Sequence, residues 1–230
     1  VTPEELKHQI ERLKQNDPDE REDILYTLAK AGSGEAIEAM LATLDELEQE
    51  LSLYEAAAIV FQILPLPAIG LPPLIAYLDK SPLSTAGREC AYILGDIASY
   101  YPKWHQGENP DSRILPALLR AAETALQNQS FRAFGMCLYA LRECVRYGSI
   151  PEAERLLRSA LLLMDQGDTL DEMGELALYH LLEILYVNAK DKEGFFIELK
   201  AMLAKLQSEH DFAACLEEFL DKKRQGDVWW

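Results

Sequence analysis

Apolar residues recur along this chain every three or four positions. Leu6, Ile10 and Leu13 form one such stripe, and Ile114, Leu118 and Ala122 form another. That spacing places the side chains on one face of an α-helix. No stretch alternates strictly between apolar and polar over a strand's length. Helix starts are marked by capping patterns: Thr2-Pro3-Glu4-Glu5, Asp17-Pro18-Asp19-Glu20, Ser52 with Glu55, Ser149 with Glu152, Thr169 with Glu172, and Asp191. In each, an oxygen acceptor precedes the first turn, whose N–H groups have no partner inside the helix. Stops fall at Gly32, Gly148, Gly167 and Gly226, where a left-handed residue ends a helix with little strain, and at Pro65. The pattern predicts an all-α fold of about twelve helices, near 3–15, 18–31, 34–49, 52–64, 71–79, 83–100, 112–127, 130–147, 150–166, 169–189, 191–207 and 211–224. Most connectors are two to six residues long, so neighbours pack antiparallel.

Taken in pairs, these helices make six hairpins over a single domain, 1–230: near 3–31, 34–64, 71–100, 112–147, 150–189 and 191–224, with a tail at 225–230. Their starts lie 31 to 41 residues apart, the spacing of a helical-hairpin repeat. One hairpin cannot bury both its faces alone, and stacking supplies the missing partner. The third hairpin carries a motif. Its first helix reads Leu71-Pro72-Pro73-Leu74-Ile75-Ala76-Tyr77-Leu78-Asp79, and its second reads Arg88-Glu89-Cys90-Ala91-Tyr92-Ile93-Leu94-Gly95-Asp96-Ile97. Together they resemble a HEAT repeat, with a first helix of the form Pro-x-Leu-Ile-x-x-Leu and a second of the form Arg-x-x-Ala-x-x-Leu-Gly-x-Ile. The likeness is good in hairpin three, fair in two and four, and weak in one, five and six. Small residues recur at the corresponding place of other second helices: Ala57, Gly135 and Ala177. The resemblance implies a right-handed α-α superhelix, a solenoid whose second helices line a concave groove. A TPR array fits less well, since most offsets exceed its period of roughly 34 residues and its aromatic pattern is missing.

The hydrophobic fraction of 49% is ample for a continuous core. The uncharged segment Ala56 to Ile75 is interrupted by four prolines and a glycine, so no membrane-spanning helix is expected. Val1 to Asn16 reads as a charged amphipathic helix and not as a secretory leader. Cys90, Cys137, Cys144 and Cys215 show no ligand spacing. Cys137 and Cys144 stand about 10 Å apart along one helix, too far for a disulfide. All four read as core residues of a cytoplasmic protein.

Charge changes the picture more. A net charge of −17 repels phosphate backbones and anionic membranes and favours a partner with a basic patch; solubility alone is the other reading. Residues 1–55 hold fifteen carboxylates against five Lys and Arg, whereas residues 104–164 hold seven arginines, no lysine and six carboxylates. Arg88, Arg132, Arg142 and Arg146 belong to second helices, and the resemblance points them into the groove. There they either form an acceptor site for carboxylates or phosphates or pair internally with carboxylates such as Glu143, Glu152 and Glu154.

Two other features stand out. A connector expected at Tyr101 to Asp111 is longer than the rest and carries Tyr101, Trp104 and His105; it either contacts a partner or lets Trp104 cover the joint between hairpins three and four. The tail ends in Trp229 and Trp230, which either fold over the last hairpin or anchor a contact, self-association included. The four histidines show no metal-ligand spacing, and phosphate-binding loops and nucleophile elbows are missing, so no catalytic residue, metal or cofactor is assigned. The expected function is a non-catalytic protein–protein interaction module. The alternatives are a nucleic-acid-processing enzyme of the HEAT-like alkylpurine glycosylase type, which would require a basic surface, and a structural subunit of a larger assembly.

Overall fold

The computed structural model describes residues 2–14, 18–46, 59, 63, 67–104, 112–145, 155–156, 159–160, 172–204 and 211–225. Among them every regular element is a helix: α1 (Pro3–Lys14), α2 (Pro18–Ala31), α3 (Gly34–Glu46), α4 (Pro67–Lys80), α5 (Thr85–Trp104), α6 (Ile114–Gln127), α7 (Phe131–Val145), α8 (Glu172–Asn188), α9 (Lys192–Leu203) and α10 (Asp211–Arg224). Residues 59, 63, 155–156 and 159–160 are helical as well.

Where the expected caps fall on described residues, they form. Glu5 N–H donates to Thr2 Oγ1 at 3.2 Å, and Thr2 N–H donates to a Glu5 carboxylate oxygen at 2.7 Å. Hydrogen bonds from Thr2, its backbone N–H first and its side chain second, hold the Glu5 carboxyl below its ordinary value, because the charged form accepts them. Asp191 accepts from Gly194 N–H at 2.9 Å and opens α9. Gly32, at φ 57°, ends α2 in the left-handed region. Ser52, Ser149, Thr169, Gly148, Gly167 and Gly226 lie outside the described residues.

Two helices run further than the pattern predicts, and proline explains both. α4 begins at Pro67 instead of near 71, and Pro72 and Pro73 lie inside it. Pro67 has the fixed φ that suits a helix start. Pro73 has no N–H to give the Ile69 carbonyl, and Ile69 stands exposed (47%) on the solvent side of the helix. The end of α5 is a second correction. Tyr101 to Trp104 continue this helix and do not begin a loop. Pro102 forfeits one bond to the preceding turn and leaves the residues after it free to complete the last turn.

The helices pack in two series. α1 contacts α3, α3 contacts α4, and α4 contacts α6; in parallel, α5 contacts α7, α7 contacts α8, and α8 contacts α10. Contacts between the series join α4 to α5 and α6 to α7. Leu74 and Leu78 of α4, Ile93 and Leu94 of α5, Leu118 of α6, Phe134 and Leu138 of α7, and Leu181 and Leu182 of α8 have no exposed surface. Polar links tie the helices together as well. The Asp45 carboxylate at the end of α3 accepts from the Tyr77 hydroxyl at 2.9 Å and from Ala86 N–H at 2.7 Å, capping α5. Arg120 of α6 donates to both oxygens of Asp79 on α4 at 2.9 Å. At the far end Lys223 of α10 reaches Glu183 of α8 at 2.5 Å, with both side chains under a tenth exposed.

The closest backbone approach joins α5 to α7. A Cβ built on Gly95 would stand 2.7 Å from the Ala140 Cα and 2.8 Å from its Cβ, nearer than real atoms come. Alanine is intrinsically favoured over glycine in a helix by about 1 kcal/mol, so the sign of one substitution reads the packing. Gly95→Ala is expected to destabilise the protein by about 1–3 kcal/mol, lowering the thermal unfolding midpoint by several degrees. A midpoint that is unchanged or raised would show that the two helices are not in contact there.

Candidate functional site

The α5–α7–α8 series carries a row of polar and aromatic side chains among its buried leucines. Tyr92 and Asp96 lie one turn apart on α5. Tyr139, Arg142 and Glu143 occupy one face of α7, and His180 sits on α8. The ring of Tyr92 stacks on that of Tyr139, with centroids 5.6 Å apart and planes at 16°. Tyr139 meets His180 edge-on at 5.7 Å, and the Arg142 guanidinium lies 5.3 Å from the Tyr139 centroid. Arg142 also bonds the buried Glu143 at 3.1 Å and faces His180 Nδ1 at 3.4 Å. The Tyr139 hydroxyl points to Asp96 at 3.5 Å.

Burial sets the protonation of these groups. It pushes the half-buried Asp96 carboxyl above its ordinary value, and nearby Glu143 adds to this, while hydrogen bonds from Tyr92 and Tyr139 oppose it. The Tyr139 hydroxyl is pushed up to about 12, first by burial and then by the Asp96 charge. His180 moves down to about 4, because burial and the Arg142 charge both disfavour the imidazolium. A guanidinium can only donate, so Nδ1 of His180 is the acceptor and the ring proton resides on Nε2. His180 is thus a neutral second acceptor for Arg142, and Glu143 is the charged one.

No protein-family model, curated protein or solved structure matches the chain.

The arginines expected in one groove separate into two places. Arg88 is folded back on the start of its own helix, donating to the Leu83 carbonyl at 3.2 Å and the Thr85 hydroxyl at 2.8 Å. Together with the exposed Arg132 it partly offsets the burial that raises the Glu89 carboxyl. Arg142 lies ten residues further along α7, about 15 Å away, and joins the tyrosine row instead. Internal pairing also engages Arg155, which bonds Glu123. Tyr101 and Trp104 occupy the last turn of α5; their side chains, His105, Arg146, Trp229 and Trp230 lie outside the described residues. Periodicity hides Tyr92, Asp96 and Tyr139, since a polar residue on an inner helix face has no mark in one sequence, whereas His180, inside an apolar helical stretch, reads as a core or groove residue and is buried.

Cys90, Cys137 and Cys144 are buried, and burial raises all three thiols, the last two to about 12, which keeps them protonated and unreactive. Among the described residues no group of three His, Cys, Asp or Glu has metal-binding geometry, and no helix is long and apolar enough to cross a membrane.

The neutral His180 predicts a pH dependence. Its folded value of about 4 lies below the roughly 6.5 of an unfolded chain. Between those values the unfolded state binds a proton that the folded state refuses. The contribution is therefore complete above about pH 6.5 and is lost as pH falls toward 4, on the order of 3 kcal/mol in all. In an NMR titration His180 is expected to show a midpoint near 4, and His180→Gln should remove this part of the acid destabilisation. A midpoint near 6.5 would contradict the buried, Arg142-facing placement.

Proposed function

We propose that the chain is a non-catalytic interaction module in which HEAT-like hairpins stack into a right-handed superhelix, presenting its second-helix face to a cytoplasmic partner protein with a basic surface. The observation that carries this reading is the row of Tyr92, Asp96, Tyr139 and Arg142 across α5 and α7, continued by His180 on α8. Mutual contacts hold this row in place before anything binds, so a partner meets half-buried tyrosines and a carboxylate without first paying to order them. Tyrosine beside a carboxylate suits lysine and arginine side chains, through cation–π attraction and ion pairing together. The row holds two carboxylates, Asp96 and Glu143, against the single guanidinium of Arg142, and the net charge of the chain has the same sign. That balance favours a basic protein over a nucleic acid.

The two packing series support the superhelix. First helices α1, α3, α4 and α6 run along one another, as do second helices α5, α7, α8 and α10, which is how stacked hairpins bury the faces they cannot bury alone.

The test is affinity capture of the partner from cells that make the protein, followed by binding measurements on the purified pair. Affinity is expected to fall at least about tenfold between low and high salt. Asp96→Asn, which keeps the shape and removes the charge, should weaken binding several-fold. An affinity indifferent to both salt and Asp96→Asn would refute the reading.

A further inference from the structure

On the other packing series, α3 and α4 leave a groove of about 500 Å³ between them. Small or ring-closed residues line it from both helices: Ala42 from α3, and Pro73 and Ala76 from α4. On α3, Glu38, Ala42 and Glu46 occupy successive turns of one face, and both glutamates are exposed. On α4, Lys80 stands one turn beyond Ala76 and forms the opposite rim. Asp45 also lines the groove, but its carboxylate is already engaged by the Tyr77 hydroxyl and Ala86 N–H. The charges left to meet a ligand are therefore two carboxylates on one rim and one ammonium on the other.

From this geometry we propose that the α3–α4 groove docks an amphipathic helix of a partner protein that carries basic residues along one edge. Three features select that occupant. The spacing of packed helices depends on the side chains between them and is shortest where these are small, and Ala42 and Ala76 allow such a close approach to a third helix lying along the groove. Glu38 and Glu46 are about 12 Å apart along α3, which matches lysines or arginines spaced seven or eight residues apart on the incoming helix. The sign of the rim also agrees with residues 1–55, where carboxylates outnumber Lys and Arg fifteen to five; a nucleic acid or a second copy of this acidic chain meets repulsion there. The site is separate from the α5–α7–α8 face, so a partner able to engage both would gain from two weak contacts at once.

The experiment uses the full chain and a fluorescent alanine- and leucine-rich helical peptide with lysines eight residues apart on one edge. A second peptide of the same composition places its lysines on opposite faces, and a third replaces lysine by glutamate. Anisotropy at low salt is expected to show binding of the first peptide, binding at least about tenfold weaker for the second, and none for the third. The double variant Glu38→Gln/Glu46→Gln should lose about tenfold, and Ala76→Arg, which fills the groove, should abolish binding. Removing an equal charge on α1, Glu11→Gln, should have little effect. Because the variant positions are exposed, thermal unfolding is expected to be unchanged, which separates lost docking from lost folding. The proposal is overturned if the first peptide does not bind, if the two lysine peptides bind equally, or if the groove variants bind as the wild type does. It is also overturned if sedimentation shows Ala76→Arg dissociating a dimer of this chain. The peptide reads the groove directly, so its failure leaves the reading of the α5–α7–α8 face standing.

Discussion

The approach of α5 to α7 at Gly95 and Ala140 is the constraint on which the rest of the structure depends. At that crossing nothing larger than a hydrogen fits on α5. The two backbones therefore come close enough for Tyr92, about one turn before Gly95, to lie flat on Tyr139, the residue next to Ala140. A wider spacing would remove that stack, and with it the position from which Tyr139 meets His180 and carries Arg142 above its ring. α7 is the shared member, packed on α5, α6 and α8. A displacement of α7 would reach the whole tyrosine row and the core beneath it.

Around this crossing, the order of the helices is fixed by polar groups as much as by leucines. Apolar faces of similar shape tolerate sliding, because dispersion and hydrophobic burial have little direction. Asp45 accepting from both Tyr77 and Ala86, and Arg120 gripping both oxygens of Asp79, do have direction. Each joins neighbouring helices at a single register. Glu183 and Lys223 do the same at the far end, where a buried pair costs desolvation but admits one seating of α10 on α8.

The architecture was legible in the sequence to the extent that local chemistry fixed it. Helical spacing of leucines, the Thr2–Glu5 capping box, the Asp191 cap and the Gly32 stop depend on residues close in the chain, and each forms where it falls on described residues. Proline misled the boundaries of α4 and α5, because its effect depends on where in a helix it stands. Gly95 was recognisable as a small residue for close packing, although its partner was not. The row of Tyr92, Asp96, Tyr139 and His180 was illegible for a physical reason: its members are 41 to 47 residues apart across neighbouring helices, and only three-dimensional packing brings them together. Arg142 was a candidate by charge, whereas its engagement with Glu143, Tyr139 and His180 follows from their burial alongside it.

Hydrogen–deuterium exchange of the chain, alone and bound to its basic partner, tests the central claim most directly, because it reports each helix separately. The account predicts new protection on binding in the turns of α5, α7 and α8 that bear Tyr92, Asp96, Tyr139 and His180. Protection confined to other helices, with these three unchanged, would contradict it.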